Sequence, residues 1–322
     1  MVWLLLLTLL LGAGCTSPAT PPNWDAEMSA ALSARGQELA EQGKPEAGRS
    51  LAEEALALAR QCGAISAQSR ALALLAWIDR SYVQAEEALE LLDGDPHEPE
   101  FWDLQLLLAG LALEQQMTQE SEGAEWVSRA LGHAREVIGP ASETSDLALR
   151  AEYEGSARHL AATALRRLGQ PGRAAVHERQ AALVLTLLPK KELPALRQAV
   201  AQARGDDLAR DAEFEPAFEQ HALAENLARE LGDEAAELAA MAGRSGDLAG
   251  LGRLRDAAQT ASTLARLALS RQVIDLARSS AQRGLAWLDA ADPFGFQSLR
   301  RDLLDTLNAV DEALGHSASS VP

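Results

Sequence analysis

Residues 157–188 read ARHLAATALRRLGQPGRAAVHERQAALVLTLL, and this stretch decides the fold. On either side of Gly169-Gln170-Pro171-Gly172 the apolar residues recur at three and four, the spacing that puts them on one face of an α-helix. Glycine at 169 takes the left-handed conformation that ends a helix without steric cost, and proline at 171 suits the first turn of the next. The stretch therefore predicts a helix, a tight turn and an antiparallel helix.

The same punctuation recurs along the chain. Gly43-Lys44-Pro45 separates a helix carrying Leu32 and Leu39 from one carrying Leu51, Leu56 and Leu58. A second hairpin is expected over 65–92, ending in AEEALELL before Gly94-Asp95-Pro96, and a third over 99–138, ending at Gly139-Pro140. The fourth spans 144–188. Further pairs are expected over about 215–244 and 247–290, with a closing helix near 296–314. The helical domain is thus bounded at 25–315, and 316–322 is expected to be a disordered tail. Segment 189–215 interrupts the rhythm with Pro189, Pro194 and Gly205-Asp206-Asp207. Two readings of it stand: a separator between two arrays, or one short, poorly matched helix.

These units resemble tetratricopeptide repeats. That family keeps a small residue mid-way along its first helix, Gly or a small residue at the turn, and Ala in each half of its second helix. The first unit has Gly36, Leu39, Gly43, Gly48, Ala55 and Leu56 at matching offsets, and the fourth has Ala162, Leu165, Gly169, Ala174 and Ala181. A later segment offers Gly252, Ala257 and Leu264. The equivalent alanines Ala55, Ala88, Ala130 and Ala181 are 33, 42 and 51 residues apart, so the longer units look like the variant with extended helices. The resemblance implies an all-α fold, a right-handed α-solenoid of tetratricopeptide-like hairpins, whose concave face holds a protein or peptide.

Composition agrees with helix. Hydrophobic residues make up 47% of the 322 but aromatics only 4%, and the bulk is Ala and Leu, the strongest helix formers. With 47 acidic against 29 basic residues the net charge is −18, which repels phosphate backbones; no nucleic-acid partner is expected. It also repels anionic headgroups, so membrane attachment would need a lipid or a helix.

Residues 2–11, VWLLLLTLLL, form an uncharged apolar run followed at once by Gly12-Ala13-Gly14-Cys15. The run has the length of a signal-peptide core and is too short to span about 30 Å of hydrocarbon. Leu11-Gly12-Ala13-Gly14-Cys15 resembles the lipobox of bacterial lipoproteins. In that family the cysteine is acylated and the peptide before it removed. The resemblance implies a signal peptide at 1–14, a lipid on Cys15, and a Pro/Ser/Thr-rich tether at 15–24. In this chain Gly12 stands where the family usually has Leu, and no Lys or Arg precedes the apolar run. Thr16 is not the Asp that favours inner-membrane retention in enterobacterial lipoproteins, so an outer-membrane address facing the periplasm is expected.

Chemistry is sparse. The six histidines, His97, His133, His159, His177, His221 and His316, fit no Glu-x-x-His or His-Glu-x-x-His pattern, and each reads as a surface residue. Gly243, Gly246, Gly250 and Gly252 match neither dinucleotide nor P-loop spacing and read as close helix packing or a loop. Glu53-Glu54 and Glu86-Glu87 read as solvated faces. Trp24, Trp77, Trp102, Trp126 and Trp287 read mostly as core contacts, and Cys62 as an unpaired small residue. No catalytic, cofactor or metal residue is assigned; the site expected is the lipidated Cys15. The function expected is a lipid-anchored scaffold or assembly factor of the bacterial envelope, binding a protein or peptide. The alternatives are a cytosolic helical-repeat adaptor and an all-α envelope enzyme or ligand carrier.

Overall fold

The computed structural model describes residues 24–92, 96–118 and 123–319. Cys15, the signal peptide and most of the tether lie outside them, as do 320–322. Among the described residues the chain forms fourteen α-helices and no strand. They are α1 (Trp24–Glu41), α2 (Pro45–Cys62), α3 (Ile65–Asp79), α4 (Tyr82–Leu91), α5 (Pro99–Thr118), α6 (Gly123–Glu143) and α7 (Leu147–Arg167). There follow α8 (Pro171–Leu185), α9 (Pro194–Arg210), α10 (Phe214–Leu231), α11 (Glu234–Gly250), α12 (Leu254–Ser270), α13 (Ile274–Ala291) and α14 (Gln297–Ser319). The chain divides into two compact units between Leu196 and Arg197, within the first turn of α9.

One local motif sets the rhythm. At Gly43, Gly63, Gly169, Gly232 and Gly252 the backbone turns left-handed, with φ between 68° and 77°. After each, the next residue donates its N–H five residues back: Lys44 to Leu39, Ala64 to Ala59, Gln170 to Leu165, Asp233 to Ala228 and Arg253 to Leu248, at 2.9–3.0 Å. These bonds satisfy carbonyls that a helix end would leave orphaned. Arg80, Ala212 and Gln272 close the same motif without glycine, at φ 54°, 61° and 60°. Helix starts are closed by Asp146, which accepts from the N–H groups of Ala148 and Leu149, and by Asp233, which accepts from those of Ala235 and Ala236.

In the first unit the odd helices form an inner row. Helices α1, α3 and α5 each pack on the next of the row, which ends at α7, as well as on their hairpin partners. The sequences dictate this. ALALLA in α3 and LQLLLAGLAL in α5 are apolar on every side, and Leu104, Leu106, Leu108 and Leu111 are all at most 2% exposed. Burying one such leucine contributes about 2 kcal/mol. Helices α2, α4, α6 and α8 are amphipathic: Ala52, Ala55, Ala59, Ala130, Ala134 and Ala174 face inward, and charged residues face out. Small residues let backbones touch. A Cβ on Gly48 would sit 2.5 Å from the Gly36 carbonyl oxygen, so α1 and α2 cross at this glycine pair, two of the small residues that carry the repeat resemblance.

Three boundaries differ from expectation. Gly139-Pro140 does not end its helix; Pro140 lies inside α6. The proline removes one helical hydrogen bond, but Val137 and Ala141, both 0% exposed, hold the last turn in the core. Gly205-Asp206-Asp207 does not break the chain either, because it lies within α9, for a reason given below. The expected tail is helical over 316–319, since α14 runs to Ser319. A single mid-helix glycine, Gly315, costs only about 1 kcal/mol, which does not stop a helix already anchored upstream.

Candidate functional site

Two polar networks are built into the inner row of the first unit, both through α5. On one side the Tyr153 hydroxyl of α7 donates to Oδ1 of Asp103 at 3.0 Å. The Tyr153 ring meets Trp102 edge-on at 5.0 Å, and the indole N–H of Trp102 donates to the Pro96 carbonyl. Burial pushes the Asp103 carboxyl well above the usual carboxylate range, and the Tyr153 hydroxyl bond only partly offsets it. Burial also raises Tyr153 itself, and takes neighbouring Glu152 up to about 7. Nearer the helix ends Arg70 of α3 pairs with Glu100 of α5 at 2.9 Å.

On the other side Gln105, buried, accepts from Nδ1 of His133 on α6 at 2.6 Å, and Nε2 of His133 accepts from the Tyr82 hydroxyl of α4 at 2.7 Å. Burial, then the charge of Arg129, pull the His133 imidazole down to about 4, so it is neutral and can play both parts. Trp126 stands edge-on to Tyr82, with the Arg129 guanidinium 4.9 Å from its ring centre. Further along, Glu178 of α8, 0% exposed, pairs with His159 at 3.0 Å and Arg166 at 3.1 Å of α7.

The second unit has its own centre. His221 of α10 is 1% exposed, with Nδ1 2.6 Å from Asp247 of α11 and Nε2 3.1 Å from Asp206 of α9. Its ring occupies the space where a Cβ on Gly205 or Gly243 would fall, 2.5 Å and 2.6 Å away. This is why Gly205 sits in a helix interior. An open depression of about 480 Å3 lies at the start of α12, lined by Arg253, Arg255, Asp256 and neighbours. Its guanidiniums are engaged, Arg253 with Asp256 at 2.9 Å and Arg255 over the Phe296 ring at 5.2 Å.

The histidines thus depart from expectation: His221 and His159 are buried hydrogen-bond partners of carboxylates, not surface residues. Nothing in their local sequence marks them, since their carboxylates lie 15 to 26 residues away on other helices. The glycine cluster packs as expected at two points, Gly243 on His221 and Gly250 on Phe214, while Gly252 is a turn. Trp102 is buried and Trp77, Trp126 and Trp287 pack against the cores, but Trp24 is 72% exposed. Cys62 is a free thiol. Among the described residues no group of three or more His, Cys, Asp or Glu could hold a metal ion, and no helix is long and apolar enough to cross a membrane.

No protein-family model matches the sequence, and no curated protein matches it. Among solved structures, the chain is similar to a Signal Transduction ATPase with Numerous Domains (STAND) protein with a tetratricopeptide repeat sensor from Pyrococcus horikoshii. The TM-score is 0.66 at 14% identity, over 90% of this chain and 43% of that one. This chain therefore spans less than half the length of the archaeal protein. A tetratricopeptide repeat protein from Parabacteroides merdae aligns over 88% of this chain and 99% of its own, at 14% identity and a TM-score of 0.42. The fold is an all-α array of tetratricopeptide-like helical hairpins.

Proposed function

We propose that this chain is a protein-binding helical-repeat scaffold, held at a bacterial membrane through a lipid on Cys15. The observation that carries the reading is the pairing of a tetratricopeptide-like array beginning at Trp24 with Leu11-Gly12-Ala13-Gly14-Cys15 just ahead of it. Repeated hairpins give an extended, rigid surface suited to another polypeptide, and such a surface performs no bond chemistry. The partner is a protein or peptide held on the concave face of the repeats, and the net charge of −18 favours a basic one. The address is the cell envelope, at the outer membrane and facing the periplasm.

Metabolic labelling with a palmitate analogue tests the anchor. Label that appears on the native chain, vanishes in Cys15→Ser and fractionates with the outer membrane supports the reading. Soluble, unlabelled protein overturns it and leaves a free helical-repeat adaptor. A photo-reactive side chain tests the scaffold: a discrete adduct from Glu152 on α7 and none from Arg179 on the outward face of α8 is the expected result.

A further inference from the structure

The first and last of the described helices turn different faces to solvent. The last, α14, turns Leu303, Thr306 and Val310 inward and presents Arg301, Asp305, Asn308 and Glu312 to solvent, with Leu304 the one large apolar side chain among them, 47% exposed. The first, α1, turns Ser29, Ser33, Gly36 and Gln37 inward. Its outward line runs Trp24, Met28, Ala31, Arg35, each on the exposed side at helical spacing. Trp24 is 72% exposed and Met28 56%. An indole beside a thioether on the exposed face of α1 is poorly suited to water, and tryptophan is the side chain most at home at headgroup level.

What lies next to that face follows from covalent reach. Trp24 is nine residues after Cys15, and nine extended residues span at most about 32 Å, so a lipid on Cys15 keeps α1 within that distance of its membrane. Asp25 and Glu27 flank the line and would be repelled by anionic headgroups, which leaves uncharged or zwitterionic ones. We infer that the first two turns of α1 dock on the lipid surface, with Trp24 and Met28 seated among zwitterionic headgroups. The inference rests on the Cys15 anchor proposed above.

The test uses the full lipidated chain in phosphatidylethanolamine–phosphatidylcholine vesicles with brominated acyl chains, which quench nearby indoles. The emission of the native chain minus that of Trp24→Phe reports Trp24 alone. Docking predicts that this difference is largely lost relative to unbrominated vesicles, and that in the latter it is blue-shifted from the Cys15→Ser chain in buffer. An unquenched Trp24 on a chain that carries the Cys15 label and floats with the vesicles overturns docking and leaves the anchor standing. Absence of label on Cys15 overturns both. A dimer of the Cys15→Ser chain that Trp24→Phe dissociates, together with unquenched Trp24, gives the face to a second copy and also overturns docking.

Discussion

Nδ1 of His221 and Oδ2 of Asp247 lie 2.6 Å apart, on side chains each only 1% exposed. Burial alone would pull the imidazole down, but its hydrogen bonds to Asp206 and Asp247 and their charges outweigh that and hold it at about 9. The folded value thus stands above that of the unfolded chain. Its contribution is complete below pH 6.5 and is lost as pH rises through 9, a loss of up to about 3 kcal/mol. Thermal midpoints should fall between pH 6.5 and 9 for the native chain, and His221→Gln should flatten that slope.

Gly205→Ala should be harmful for a reason that a second substitution removes. In a helix interior Ala is favoured over Gly by about 1 kcal/mol, but here the new methyl meets the His221 ring, and overpacking costs about 1–3 kcal/mol or more. Urea unfolding should show Gly205→Ala destabilising in the native background and stabilising in His221→Ala. Equal effects in both backgrounds would refute the packing account.

Three turns, at Arg80, Ala212 and Gln272, hold non-glycine residues where the other five use glycine. Left-handed backbone costs an ordinary residue about 1 kcal/mol, so Ala212→Gly and Gln272→Gly should each raise stability by about that much. Gly169→Ala should lower it by a similar amount, and denaturant midpoints will show either sign directly.

Glu152 gives a second pH signature, in the first unit. Burial lifts its carboxyl to about 7, above the unfolded value, so its contribution is present at acid pH and is lost as pH rises from 4.5 through 7. Glu152→Gln should leave stability unchanged at pH 4 and increase it at pH 8. Tyr153→Phe strands the buried Asp103 and should cost about 1–3 kcal/mol, measured at a single pH.

The helices and their turns were readable because their signals are local. Leu-Arg-Arg-Leu-Gly at 165–169 contains both the acceptor and the glycine of its own cap, and the turn at 43 repeats it. The misjudged positions depend on distant partners. Gly205 looks like a breaker until His221 is seen to need its missing Cβ, and Pro140 looks like a stop until Val137 and Ala141 are found in the core. The buried networks were illegible for the same reason: Asp103 and Tyr153 are 50 residues apart, and no spacing rule along one helix joins them.

The order in which helices touch also has a mechanical meaning. Helices α1–α8 and α10–α14 pack chiefly on their neighbours in sequence, and among the described residues no strand ladder ties distant segments together. Pulled by its ends, such a chain has nothing to shear. It should peel one hairpin at a time at low force, each pair such as α1 and α2 releasing on the order of 100 Å of contour and re-forming when the load is removed. The array would then behave as a reversible spring, yielding in steps where a sheet would hold and then snap.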